Sequence, residues 1–268
     1  MFKGYENIAL PEYEVITPQT LLSFTVRSMT VQEEERLKSS LVTPTKITEH
    51  LNRCIYDLIV RKPEEIVDFK AFERLLTTKD REALLFGIYH TTYDELRNYD
   101  ITCKECDKVY PVTVKATSTF NIELFPEGQK VLDVKVPIDL KILKGVKVTI
   151  KQPSLADEMD VLSAFSSSKN SEVVTDSIPV EKIEQIIPSK QGEKEKPPSV
   201  WTERHDIIDA IMAMPPSDRR LINKEYEDNF GKYSISLKMK SYCPFCRAEQ
   251  DSNIDLVTQF FRMVYGSA

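Results

Sequence analysis

Apolar and polar positions along this chain follow two rhythms, one helical and one alternating. Ile47, Leu51, Cys54, Ile55, Leu58 and Ile59 recur at helical spacing and predict an amphipathic helix that starts at Thr43-Pro44-Thr45. Upstream, residues 1–18 read as an irregular leader and residues 21–26 as a short strand. Thr30 and Glu33 then form a Thr-x-x-Glu capping box opening an acidic, exposed helix. A short helix is predicted near 67–76, and another after Thr78, read as its cap. Further on, Val134, Val136, Ile138, Leu140 and Ile142 alternate with Lys135, Pro137, Asp139 and Lys141, the period of a half-buried strand. Gly145 turns the chain, the alternation resumes at Val146, Val148 and Ile150, and Pro137 directs its strand to a sheet edge. Ser154 is expected to cap a helix, VEKIEQII to be helical within a polar insert, and Thr202 to cap a helix carrying Ile207, Ile208 and Ile211. Residues 234–242 alternate again, and Phe260 and Phe261 near the end are expected to dock on the core.

Two Cys-x-x-Cys stretches interrupt the strand-like segments: Cys103-Lys-Glu-Cys106 and Cys243-Pro-Phe-Cys246. Each has the form strand, knuckle, turn, strand. Together they supply four thiolates, one closed tetrahedral shell for a structural zinc. About 140 residues separate them, far more than in an ordinary zinc ribbon, so a shared ion requires the chain to fold back on itself. Metal-free knuckles, or pairs completed by another chain, are the alternatives. A redox role fits poorly, because such a motif places its first Cys at a helix N-terminus. Knuckles favour Gly after the second Cys, where φ is often positive. Asp107 and Arg247 stand there, and the second turn is expected to be the less regular. The fifth cysteine, Cys54, lies on an apolar helix face and reads as core.

Composition narrows the field. The chain has 268 residues, 41% hydrophobic and 29% charged, with formal net charge −6, the profile of a globular protein rather than a polyanion binder. Only 7 glycines are present, with no phosphate-cradling Gly motif. No apolar run reaches the roughly 18 residues a membrane span needs, and the N-terminus has no signal-like stretch. A cytosolic location is therefore expected, where cysteines stay reduced and favour metal over disulfides. The histidines, His50, His90 and His205, sit in no HExxH or nucleophile–base pattern, so the chain is not expected to be an enzyme. Lys104, Lys108, Lys115, Lys238, Lys240 and Arg247 flank the knuckles, which keeps a zinc-ribbon nucleic-acid binder as the second reading, with Glu105 and Asp107 interrupting any basic patch.

The fold class expected is α+β: a helical N-terminal part plus antiparallel strands around a split four-cysteine, zinc-ribbon-like site. The organisation expected is a leader (1–18), a helical part (19–100), the first knuckle with a β-rich part (101–165), a flexible polar insert (166–200), and helices with the second knuckle (201–268) folding back on 101–165. No tandem repeat is evident beyond the shared local plan of the knuckles.

Several stretches, in order, resemble the T-even-type phage baseplate proteins described as hub subunits or hub assembly chaperones and catalysts. They are VRSMTVQEEERLKSS, ITEHLNRCIYD, the Asp80-Arg81-x-x-Leu84-Leu85 helix, MPPSDRRLI, and Tyr242-Cys-Pro-Phe-Cys leading to Asn-Ile-Asp-Leu and Phe-Phe. The resemblance covers residues 20–160 and 200–265. The chain departs from it at Arg53, where Asn is common, at the knuckle glycines, and in a longer insert at 166–200. The resemblance implies a non-enzymatic, phage-encoded protein that helps build the central hub of the tail baseplate, in the host cytoplasm during assembly or within the virion tail. Its partners would be other hub or tail proteins, with no small-molecule substrate and no membrane. The zinc, held by Cys103, Cys106, Cys243 and Cys246, would be a structural staple.

Overall fold

The fold is α+β with antiparallel sheets, seen in a computed structural model. It describes residues 9–38, 44–93, 97–114, 120–164, 175–185 and 199–254. The first sheet begins earlier than the sequence suggests. Strand β1 (Glu12–Ile16) lies in the segment read as leader and pairs with β2 (Ser23–Arg27), which pairs with β3 (Ile59–Arg61). Tyr13 and Val15 alternate with Glu12 and Glu14, a period of two that only a partner strand makes decisive. Helices α1 (Val31–Lys38) and α2 (Pro44–Asp57) lie between β2 and β3, and α3 (Phe69–Leu75) and α4 (Thr78–Thr92) follow. Val15, Phe24, Val26, Leu51, Ile55, Phe72, Leu84 and Ile88 close this first core.

The α1 capping box forms as the sequence predicts. Thr30 N donates to Glu33 at 2.9 Å, and Glu33 N donates back to Thr30 Oγ1 at 3.3 Å. Arg27 holds the Glu33 carboxylate at 2.6 Å; this hydrogen bond, helped by Thr30, outweighs burial and lowers Glu33 to about 2. A depressed carboxyl contributes stability above its unfolded pKa and loses it as pH falls through the folded one. Urea midpoints of Glu33→Gln and the parent should therefore differ most above pH ~4.5 and converge toward pH ~2. A constant gap across that range would contradict the assignment.

The second core forms on a second sheet. Strands β7 (Lys135–Asp139), β8 (Val146–Lys151), β9 (Val180–Gln185) and β10 (Ser199–Trp201) are ordered β10-β9-β8-β7, and Pro137 lies on the edge strand as expected. Helices α5 (Leu155–Ala164), α6 (Arg204–Met212) and α7 (Pro216–Tyr226) accompany it, and a π turn (Glu227–Gly231) extends α7. Ile138, Val148, Ile150, Val161, Ile183, Ile207, Ile211, Ile222 and Phe230 fill this core.

The VEKIEQII segment departs from expectation: it supplies a strand, not a helix. The register shifts between Thr149 and Ile150, which face Lys182 and Val180, so one residue of β9 bulges. That bulge lets Val180 and Ile183, three apart, both be buried, and the spacing imitates a helix. Two caps also differ. Thr77, not Thr78, caps α4, in a box closed by Asp80. Glu203 stands at the α6 N-cap with no side-chain bond, so Thr202 does not cap it. Ser154 does cap α5, through a box with Asp157. Phe260 and Phe261 lie outside the described residues.

Each core has one buried aspartate tying a hairpin turn to a helix start. Asp80, at the third position of α4, accepts from Gln19 N (2.9 Å), Thr20 N (3.2 Å), Thr77 N (3.1 Å) and Thr77 Oγ1 (2.9 Å). Asp218, at the third position of α7, accepts from Lys141 N (3.1 Å), Ile142 N (3.0 Å) and Leu143 N (2.9 Å). Burial pushes Asp218 up, but these backbone donors outweigh it and lower the carboxyl. The cores are joined by Arg81–Glu158 (2.6 Å), by Gln19 Nε2 donating to Phe230 O (3.0 Å), and by α5, which puts Leu155 in the first core and Val161 in the second. No helix among the described residues is long and apolar enough to cross a membrane.

Candidate metal centre

Two hairpins carry the knuckles: β4 (Arg97–Thr102) with β5 (Val109–Val114), and β11 (Ile235–Tyr242) with β12 (Glu249–Ile254). Backbone pairing links the two hairpins. The segment after the first knuckle returns as β6 (Phe120–Ile122) and pairs antiparallel with β11, the strand entering the second knuckle. Two side-chain bonds then cross between the hairpins. Tyr110 Oη and Ser241 Oγ lie 2.8 Å apart, and Lys104 N donates to Gln250 Oε1 at 3.1 Å. The chain thus folds back as the separated cysteines require.

The four Sγ atoms lie within 4.8 Å of one another, the one cluster of His, Cys, Asp or Glu donors with metal-ligand spacing among the described residues. Cys103 faces Cys246 at 3.5 Å and Cys106 faces Cys243 at 3.7 Å. A disulfide would bring sulfurs to ~2.05 Å. Four thiolates at ~2.3 Å from a common centre would stand ~3.8 Å apart. The observed spacings match the second geometry, so the donor set fits a tetrahedral metal ion. Cys103 and Cys243 are buried, Cys106 is half-buried and Cys246 is exposed, which places the site at the tip of the paired hairpins.

Backbone geometry turns sulfur lone pairs into acceptors. Cys243 Sγ accepts from the N–H groups of Cys246 and Phe245, Cys246 Sγ from that of Ala248, and Cys106 Sγ from that of Lys108. Burial raises Cys243, but these donors and the adjacent sulfurs outweigh it and bring the thiol to about 7. At Cys246 the Ala248 N–H pulls downward, while burial and the neighbouring sulfurs push it up to about 12. The Lys108 N–H likewise lowers Cys106, yet burial and Cys103 carry it above the ordinary thiol value. Negative sulfurs this close repel, so four thiolates together call for a cation.

Both turns are equally regular, contrary to the expectation for the second. Cys103 N donates to Lys108 O at 3.0 Å and Asp107 N to Cys103 O at 2.9 Å; Cys243 N donates to Ala248 O and Arg247 N to Cys243 O at the same two distances. Asp107 and Arg247 adopt φ of 56° and 62° to do so. A left-handed arginine costs about 1 kcal/mol, so Arg247→Gly is expected to raise the melting temperature by roughly 1–3 °C. An unchanged or lower melting temperature would argue that Arg247 contributes something beyond the turn.

The other singled-out residues stay apart from this site. Cys54 is half-buried against the first core, and burial, with Glu33 and Asp57 nearby, pushes its thiol to about 11. His90 packs against the rings of Tyr13 (4.8 Å) and Phe86 (5.9 Å), and His205 is exposed. Arg53 lies 4.0 Å over the ring of Phe69, a contact that accounts for a cation at that position. Among the described side chains, the cations near the knuckles form no continuous basic face. Lys240 pairs with Glu249 at 3.0 Å, Lys108 sits 4.7 Å over the Phe245 ring, and exposed Glu105, Asp107 and Asp251 intervene. Lys115 lies outside the described residues.

Sequence reading missed Tyr110, Ser241 and Gln250, whose roles arise only when the hairpins face each other. The family model described as T4 bacteriophage base plate protein matches residues 10–262. No curated protein and no solved structure matches the chain. With a match spanning nearly its whole length, the chain belongs to the T4 bacteriophage base plate protein family.

Proposed function

We propose that this protein is a non-enzymatic component or assembly factor of the tail baseplate hub, stapled by one structural zinc on Cys103, Cys106, Cys243 and Cys246. The baseplate family supports a structural role among other baseplate proteins. The observation that carries the zinc reading is the set of sulfur spacings, 3.5 and 3.7 Å across the knuckles. Four sulfurs complete the shell and leave no position for a substrate or activated water, which makes the metal a staple rather than a catalyst. Bound zinc would supply the charge that lets all four thiols ionise together. The chain's own part is to hold the sulfurs through the knuckle N–H groups and to bring the hairpins together through β6, Tyr110 and Gln250.

The test is recovery of tagged protein from infected cells during tail assembly and from finished virions. A discrete complex with baseplate hub proteins is expected; its presence in virions would mark a component, its absence there a transient assembly factor. A salt-sensitive DNA complex without tail proteins would overturn the proposal in favour of a zinc-ribbon nucleic-acid binder.

A further inference from the structure

The two halves of the molecule share a common series of elements, to which the second sheet adds one strand, β10. In β1 and β7 the burial order along five residues is the same, with Val15 and Ile138 as the buried members. In β2 and β8 three consecutive residues are buried, Phe24-Thr25-Val26 and Val148-Thr149-Ile150. The hairpins share their register: Val15 faces Phe24, and Ile138 faces Val148. In each half a third strand joins the second antiparallel, β3 on β2 and β9 on β8. Each of these pairs shifts register at the same place, between Thr25 and Val26 and between Thr149 and Ile150.

The polar details repeat as well. Each central strand ends in a cation, Arg27 or Lys151. Three residues later comes an N-cap hydroxyl, Thr30 or Ser154, and three beyond that the acid, Glu33 or Asp157, that closes the box and binds the cation. After the third strand, and in the second half after β10 as well, come two helices. The second of each pair places an aspartate at its third position, Asp80 or Asp218, to hold the backbone N–H groups of its own hairpin turn. An ion-paired arginine follows each, Arg81 or Arg219. Each half then ends in a knuckle hairpin of one register, Thr102 facing Val109 and Tyr242 facing Glu249. Packing alone selects for buried apolar faces. It does not demand the same bulge, the same strand-end cation on a capping box and the same third-position aspartate twice in one order.

We infer that the chain is two copies of one structural unit fused in tandem, and that each knuckle is a half-site whose natural partner is the knuckle of a second copy of that unit. The sulfur contacts have the required symmetry. The first Cys of each knuckle faces the second Cys of the other, Cys103 with Cys246 and Cys243 with Cys106, as a two-fold axis through the site demands. Fusion turned a contact between two chains into a contact within one. This inference rests on the metal reading of the site for its docking step, while the repeat itself stands on strand register and hydrogen bonds.

The test removes one half-site from the full chain. Cys103→Ser with Cys106→Ser leaves the second knuckle unpartnered, and Cys243→Ser with Cys246→Ser leaves the first. On zinc titration, native mass spectrometry should find each double variant as a dimer holding one zinc per two chains, dissociated by chelator. The parent should stay at one zinc per chain under the same conditions, and the variant lacking all four cysteines should not dimerise. Double variants that remain folded by circular dichroism yet monomeric, beside a parent that binds one zinc, would overturn the half-site inference and leave the metal reading standing. A parent that binds no zinc would overturn both. If the double variants do not fold, the discriminating protein is one whose first knuckle carries Glu105→Phe, Asp107→Arg and Lys108→Ala, the inner residues of the second, with Lys104 kept because its N–H bonds Gln250. Interchangeable half-sites require it to bind one zinc per chain, and loss of the metal would overturn the inference.

Discussion

Cys243→Ser should abolish the metal site within the single chain and lower the melting temperature by more than ~10 °C. Cys243 is buried, and the N–H groups of Cys246 and Phe245 with the adjacent sulfurs outweigh that burial to bring its thiol to about 7. A serine there leaves three thiols, two of them raised, around a hydroxyl that is a poor zinc ligand. Structural zinc in small sites contributes apparent folding free energies of about 10–16 kcal/mol. The fraction felt here is smaller, because β6–β11 pairing, Tyr110 and Gln250 already join the hairpins. The loss should therefore concentrate at the hairpin tips, and amides of β4, β5, β11 and β12 should exchange faster before those of the two cores. Elemental mass spectrometry of parent and variant, with thermal melts beside it, checks the prediction. About one zinc per parent chain and none in the monomer fraction of the variant is the expected pair of values. One zinc per chain that survives the substitution in the monomer would separate the knuckles chemically and end the shared-site reading.

Asp80→Ala and Asp218→Ala should each cost about 3–5 kcal/mol, near 10 °C in melting temperature. Asp80 is wholly buried and satisfies three backbone N–H groups and one hydroxyl, and the alanine would leave all four donors without an acceptor. Asp218 holds three consecutive N–H groups of the β7–β8 turn. Because the two aspartates do the same work in repeated units, their losses should be similar and, lying in separate cores, close to additive. Urea unfolding of both single variants and of the double variant measures this. A loss under ~1 kcal/mol at either site would mean that water replaces the carboxylate and that the turn is not held as described.

Much of the local structure was legible in the sequence because it depends on neighbours. The Thr30–Glu33 and Ser154–Asp157 boxes need only residues three apart, and the alternation from Val134 to Ile150 displays a hairpin on its own. The two Cys-x-x-Cys pairs announced thiol chemistry for the same reason, and the order of several short motifs pointed to the baseplate family that the chain belongs to. The strand at Val180–Gln185 was not legible, because its bulge gives buried residues a helical spacing that only the neighbouring strand explains. Strand β1 was not legible either, since a five-residue alternation is decided by a partner. The largest omission was the repeat. Its two copies share bulge, cap and turn geometry through different residues, Arg27 for Lys151 and Phe24 for Val148, so chain-order comparison of letters does not expose it. The sequence by itself determined the ligand types, the caps and the alternating faces, which are set by contacts within a few residues. Only the tertiary structure decided that the distant knuckles meet and that the halves match, because long-range strand pairing and burial set both.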